Sequence, residues 1–247
     1  MNESHSQLPQ STANPIWKDL LIPGSIMIAG AAIGLGLFFS GGTVAQPVAV
    51  APGQVPKEVD MTDQVTPVTA DDHRKGSEGA SVTIVEYSDF DCVFCGRFHD
   101  TMNEIVATND DVAWVYRHSP IDQIHPQAAF VALASECVAD IAGTDAFWTF
   151  TDGYFAARAA GDNTPHATLV PQLATAAGVS AAALDACVTS GELTADVEAD
   201  RANAIATGGG GTPWSILIGP SGKTYPINGA LPPAAINQLI QIALDEA

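Results

Sequence analysis

A mixed α/β domain is expected from this sequence, with a β-α-β unit, a run of helices, and a closing β-β-α unit. Three observations carry that expectation. Val82-Thr83-Ile84-Val85-Glu86-Tyr87 is β-branched and aromatic, as a buried strand would be. Asp91 to Ala107 places Phe94, Phe98, Met102, Ile105 and Val106 at helical spacing. From His125 to Thr207 the pattern stays helical, and strand signals return only at Trp214 to Ile218.

The chain has 247 residues, 47% of them hydrophobic, enough for one packed domain with appendages. Its formal net charge of -19 argues against a nucleic-acid partner, because few cations exist to neutralise phosphates. The same acidity disfavours docking on anionic lipid headgroups.

Residues 1–19 read as a short cytoplasmic N-terminus. Leu20 to Ser40 holds no charged residue, and a helix of roughly 20 apolar residues spans a hydrocarbon core. Trp17 and Lys18 precede it and the next cation is Lys57, so the charge bias puts the N-terminus inside. A single-pass anchor over 20–40 with an extracytoplasmic domain is the expectation. The alternative is a signal peptide cleaved near Ala45, after Thr43-Val44. Residues 41–79 carry Pro47, Pro52, Pro56 and Pro67 without apolar periodicity and read as a linker.

The folded domain is expected over 80–247. Val112 to Tyr116 is its second strand, and the helix before it makes a crossover between parallel strands. The insertion, about 124–207, begins with Phe130, Leu133, Cys137 and Ile141 on one helical face. Phe147 to Arg158, Thr168 to Ala177, a segment around Asp185, and Glu192 to Ala206 follow as helices, with Gly178 and Gly191 as breaks. Trp214 to Ile218 and Thr224 to Ile227 form a hairpin around Pro220-Ser221-Gly222-Lys223. Pro232-Pro233 opens the last helix through Ile236, Leu239, Ile240 and Leu244. This order of elements is that of a thioredoxin fold split by a helical subdomain.

Cys92-Val93-Phe94-Cys95 falls between a strand and a helix start. There the first cysteine meets unpaired N–H groups and the positive end of the helix dipole, which favour a thiolate. Cys92 is thus expected to be an exposed nucleophile and Cys95 a buried resolving thiol. A zinc site at the pair would need further ligands; no second CxxC or HxxxH exists, and His99 alone reads as a surface or capping residue. No metal or cofactor is expected. Cys137 and Cys187 fall in two different helices, and a bridge between them suits an exported domain. Two buried thiols are the alternative.

Tyr87-Ser88-Asp89-Phe90-Asp91-Cys92-Val93-Phe94-Cys95-Gly96-Arg97-Phe98 resembles the active-site segment of the DsbA-like thiol-disulfide oxidoreductases, and Gly211-Thr212-Pro213 resembles their cis-proline loop. The resemblance extends from about Asp71 to the end of the chain. It implies a cis bond before Pro213, a Thr212 backbone that pairs with an extended substrate, and a proton-relay role for Glu86. It also implies a substrate surface of Phe90, Phe94, Trp214 and Thr212. Strong oxidants of this family carry a His between the cysteines. Val93-Phe94, with Asp89 and Asp91 nearby, is therefore expected to raise the Cys92 pKa and weaken the oxidant.

The activity implied is disulfide formation in exported, unfolded polypeptides by a monomer. A DsbB-like or vitamin K epoxide reductase-like membrane protein would reoxidise it. Reduction or isomerisation is the nearest alternative, and a non-catalytic peptide-binding or metal-binding module is the other.

Overall fold

The computed structural model describes residues 60–246. The expected N-terminus 1–19, the anchor 20–40, the cleavage position near Ala45 and the linker as far as residue 59 lie outside them. Among the described residues no single helix is long and apolar enough to cross a membrane.

The expected linker ends earlier than residue 79. Thr62–Gln64 forms a short 3₁₀ turn, and His73–Gly76 forms the first strand, β1. Both are held by polar contacts that sequence periodicity does not register. Arg117 binds the Asp72 carboxylate through Nε at 2.8 Å and Nη2 at 3.1 Å, and donates to Thr66 and Pro67. Asn203 accepts from the Thr66 amide and donates to the Gln64 carbonyl. A four-residue polar strand has no apolar signature of its own and exists by pairing.

The remaining elements are β2 (Val82–Ser88), α1 (Val93–Thr108), β3 (Val112–His118), α2 (Ala128–Ala142), α3 (Thr144–Ala159), α4 (His166–Ala176), α5 (Ala181–Ser190), α6 (Thr194–Ala206), β4 (Trp214–Ile218), β5 (Thr224–Asn228) and α7 (Pro233–Asp245). The sheet order is β1-β3-β2-β4-β5. β2 and β3 are parallel, as the α1 crossover requires, and all other pairs are antiparallel. Gly76 closes β1 at φ +98°, where a Cβ would lie 2.5 Å from the Val112 carbonyl oxygen. Only glycine fits that approach.

Strand side chains alternate between two faces, and both faces are covered. Val85, Tyr87, Val115, Trp214 and Ile216 pack in a small core with Ala204 of α6. Val82, Ile84, Val112, Trp114, Tyr116 and Leu217 join Phe98, Met102 and Ile105 of α1, Ile236 and Ile240 of α7, and the insertion helices in the main core. Glu86 has the parity of Ile84, so it enters the face covered by α1.

The buried face of α2 differs from the one expected. Val131, Ala132, Ala134, Cys137 and Val138 are buried, whereas Phe130 and Leu133 are half-buried and Ile141 is exposed. Small residues let α2 pack closely against its neighbours, so burial follows shape there rather than hydrophobicity. Cys137 of α2 and Cys187 of α5 form a disulfide across a sequence separation of 50.

Closing a loop of that length restricts the unfolded chain by about 4 kcal/mol at 25 °C in the chain-entropy model. Replacing both cysteines (Cys137→Ala, Cys187→Ala) is expected to lower unfolding stability by about that amount, measured by urea denaturation.

Candidate active site

Cys92 occupies the N-cap of α1 and Cys95 lies in its first turn. The segment before the helix is tied down by its own backbone. The Cys92 amide donates to the Asp89 carbonyl at 3.1 Å, and the Asp89 amide donates to Cys95 Sγ at 3.4 Å. Both residues are free thiols in this structure. Cys92 is 8% exposed and Cys95 fully buried, so the nucleophile is more enclosed than the sequence suggests. The Thr212 loop lies against its sulfur.

The two sulfurs titrate in opposite directions. A hydrogen bond from the Cys95 thiol pulls Cys92 down to about 5; burial opposes this, and the Cys95 amide, Thr212 and the Phe94 amide support it. Burial pushes Cys95 well up, and the bond to Cys92 and the nearby Glu86 push the same way. Cys92 is thus held below the range of an ordinary thiol, in the direction the helix start favours. The helix N-terminus and the partner thiol act on the sulfur directly.

The nearby carboxylates are spoken for by other groups. Asp89 accepts from the amides of Asp91 and Ile121 at 2.8 and 2.7 Å and lies 3.0 Å from His125 Nδ1. Asp91 accepts from Tyr154 Oη at 2.6 Å and contacts His166 Nε2 at 2.9 Å. Apart from the Asp91 amide, these partners come from the insertion and the loop leading into it, distant in the sequence.

Glu86 is fully buried, and Trp114 Nε1 donates to its Oε2 at 3.0 Å. Burial raises it to about 8 against the nearby Ser88 hydroxyl and the Trp114 hydrogen bond, with the Cys92 charge adding to the rise. Glu86 therefore carries a proton at neutral pH. In register it lies between Tyr116 of β3 and Ser215 of β4. Glu86 Oε1, Ser88 Oγ, Tyr116 Oη and Ser215 Oγ are all buried with no partner within hydrogen-bond geometry. A polar row thus crosses the sheet on its α1 face. Trp114 and Tyr116 belong to this site but read in the sequence only as core aromatics of a strand.

The Thr212–Pro213 peptide is cis. Its turn brings the Thr212 carbonyl to the site, where it accepts from Cys92 Sγ at 3.4 Å. Cys92 donates to that carbonyl only as the thiol; the thiolate has no proton to give and leaves the carbonyl free. Of the glycines before it, Gly209 is the one pressed closely: a Cβ would lie 2.8 Å from the Ala204 carbonyl oxygen and from the Trp214 ring.

The expected substrate surface is only partly present. Phe94 is 53% exposed and Thr212 half-buried, but Phe90 is 2% and Trp214 8% exposed. Phe90 stacks on Phe155 with ring centroids 5.4 Å apart, and Trp214 donates to Thr207 Oγ1 at 3.0 Å. Both are internal supports. His99, expected at the surface or as a cap, is 3% exposed and bonds Asp152 at 2.6 Å.

A helix-capped cysteine pair, a buried protonated acid and a cis-proline beside them define a thiol-disulfide exchange site. The family model described as thioredoxin matches residues 69–240, and the chain belongs to that family. Its structural neighbours are thiol-disulfide oxidoreductases of the DsbA family. The crystal structure of Pseudomonas aeruginosa DsbA2 is 27% identical with TM-score 0.63, covering 73% of this chain and 98% of that one. BdbD from Bacillus subtilis, at 21% identity and TM-score 0.61, covers 72% and 96% and shares the fold. Curated relatives include an Na(+)/H(+) antiporter, NhaA 3 of Salinispora tropica, 38% identical over 93 residues, which are 37% of this chain and 14% of the antiporter. NhaA of Herminiimonas arsenicoxydans is 32% identical over 149 residues, 60% and 22% respectively. The chain thus matches less than a quarter of those relatives' length.

In the reduced protein, iodoacetamide should modify Cys92 with a titration midpoint near pH 5 and leave Cys95 unmodified, as read by peptide mass mapping. Glu86 gives a second pH signature. Its folded pKa of about 8 lies above its ordinary 4.5, so the folded protein retains a proton that the unfolded chain has lost. Stability should fall as pH rises through that window. Glu86→Gln cannot ionise, so its Tm should match the parent near pH 4.5 and exceed it at pH 8.

Proposed function

We propose that this chain forms disulfides in exported, unfolded polypeptides. The observation that carries this reading is the placement of Cys92 at the N-cap of α1, with Cys95 buried one turn on and the cis Thr212–Pro213 bond beside them. A Cys92 thiolate held at the helix start stabilises the dithiol form, and the disulfide gives up its oxidising equivalents more readily for it.

The exchange proceeds from the Cys92–Cys95 disulfide. A substrate thiolate attacks Cys92 Sγ, the new S–S bond joins substrate to Cys92, and the bond to Cys95 breaks. The departing Cys95 thiolate takes a proton, for which buried Glu86, close enough to act on the Cys95 charge, is the donor. A second substrate thiolate then attacks the substrate sulfur of the mixed disulfide. Cys92 leaves as the stabilised thiolate and the substrate keeps the disulfide. Two electrons pass to the enzyme, and a membrane reoxidase of DsbB-like or vitamin K epoxide reductase-like type would remove them.

Exposed Val93 and Phe94 flank Cys92. A cavity of about 160 Å³ lined by Pro120, Ile121, exposed Ile205 and Gly209 to Gly211 lies next to the cis-proline loop. Shallow surface of this kind, apolar in part and with Ser119, Gln123 and Arg201 also in its lining, suits unfolded chains without sequence preference. The Cys137–Cys187 bridge and the apolar stretch 20–40 support an extracytoplasmic domain on a single membrane anchor. Ion transport is not carried over from the antiporter relatives, whose matched part is a small fraction of their length.

Oxidation of a reduced, unfolded disulfide protein should proceed with the parent chain and fall to background in Cys92→Ser. Equal rates in both would falsify the reading. In Cys95→Ala, exported proteins should accumulate as mixed disulfides on Cys92, seen as reductant-sensitive bands. Adducts with one membrane protein alone would indicate a dedicated relay instead.

A further inference from the structure

Three titratable side chains from separate elements meet away from the cysteine pair. His73 of β1 and His118 at the end of β3 both direct Nε2 at Glu136 Oε1 of α2, at 2.8 and 2.6 Å. Their ligand atoms lie within 4.8 Å of one another. We propose that His73, His118 and Glu136 form a binding site for a divalent transition-metal ion of the zinc type.

The donor set selects the ion class. Two imidazoles and one carboxylate suit zinc, cobalt, nickel or copper, whereas calcium and magnesium prefer oxygen ligands throughout. Three protein ligands leave a fourth position for solvent or another group.

Access and charge agree with this assignment. His73 and Glu136 line a cavity of about 660 Å³ that opens to solvent. Asp71, Asp72, Asp140, Asp196 and Asp200 line it too, and Arg117, already bound to Asp72, is its one cation. A concave surface of that sign concentrates cations. His118 approaches Glu136 from the interior and is 1% exposed.

The ligands are held by packing yet need little movement. The His73 ring stacks on Phe147 with centroids 3.6 Å apart and planes 11° from parallel. His118 Nδ1 is buried without a partner, so Glu136 alone fixes which ring nitrogen faces the cluster. A tetrahedral zinc with ligands at 2.0–2.1 Å separates them by about 3.3 Å, so each imidazole must draw back by roughly 0.5–0.7 Å. On binding, each neutral ring carries its proton on Nδ1 and offers the Nε2 lone pair to the ion.

Occupancy would tie edge strand β1, strand β3 and insertion helix α2 together. It would also act near the redox segment, since the His118 ring lies 5.9 Å from that of Phe90, two residues before Cys92.

The test uses the full chain carrying Cys92→Ser and Cys95→Ser, so that the thiols cannot bind the metal, after exhaustive chelation. Zinc at about 100 times the dissociation constant should raise Tm by roughly 5 °C or more. Cobalt should give visible d–d bands without thiolate charge-transfer absorption. Glu136→Gln, added to that background, should weaken zinc binding at least about 100-fold. His73→Gln should do the same, and decides the matter if Glu136→Gln fails to fold by circular dichroism. No zinc-dependent shift in the cysteine-free chain would overturn the proposal, as would an equal shift in the folded variants. Neither result touches the exchange activity, which rests on Cys92 and Cys95.

Discussion

The negative charge on Cys92 has to be held where water barely reaches, and the first turn of α1 is what holds it. The main-chain N–H groups of Phe94 and Cys95 and the Cys95 thiol all lower the Cys92 pKa. These groups are fixed before any reaction begins, so holding the charge requires little rearrangement. The geometry works only if Cys92 sits at the N-cap, and that depends on how strand β2 runs into the helix. Asp89 organises the passage, accepting two main-chain N–H groups while its own amide contacts Cys95. Most other features of the site keep this corner in place.

Burial then does different work on each ionisable group. It is partly offset at Cys92 by hydrogen bonds to the charged form, whereas at Cys95 and Glu86 the neutral form wins. One helix turn and one strand position therefore separate a thiolate from a thiol and a carboxylic acid. This ordering lets a leaving sulfur find a proton inside a dry core. Trp114 is central to it: its indole bonds the acid, and its ring packs edge-on against His99 at 5.1 Å.

The insertion is more than an appendage to this centre. Tyr154 and His166 bind Asp91, Phe155 stacks on Phe90, and Asn203 joins the segment before β1 to α6. On the opposite side of the sheet Arg117 gathers Asp72, Thr66 and Pro67 around one guanidinium. Such a charge is tolerated in a buried position because its donors are matched by acceptors. It extends the domain backward into residues that read as linker.

Sequence alone determined the parts of this protein that rest on local pattern. The β-branched run at Val82 to Tyr87, the helical spacing after Cys92 and the returning strand at Trp214 marked the element order. The cysteine spacing at a helix start marked the reacting sulfurs. Strand parity put Glu86 on the face of Ile84. Tertiary structure decided what depends on groups distant in the chain. It set the burial of Phe90 and Trp214, the edge strand His73–Gly76, the packing of α2 through its small residues, and the partners that occupy Asp89 and Asp91. The physical reason is range: periodicity reports contacts within a few residues. A pKa or a burial follows from dipoles, charges and packing that converge only after the chain has folded.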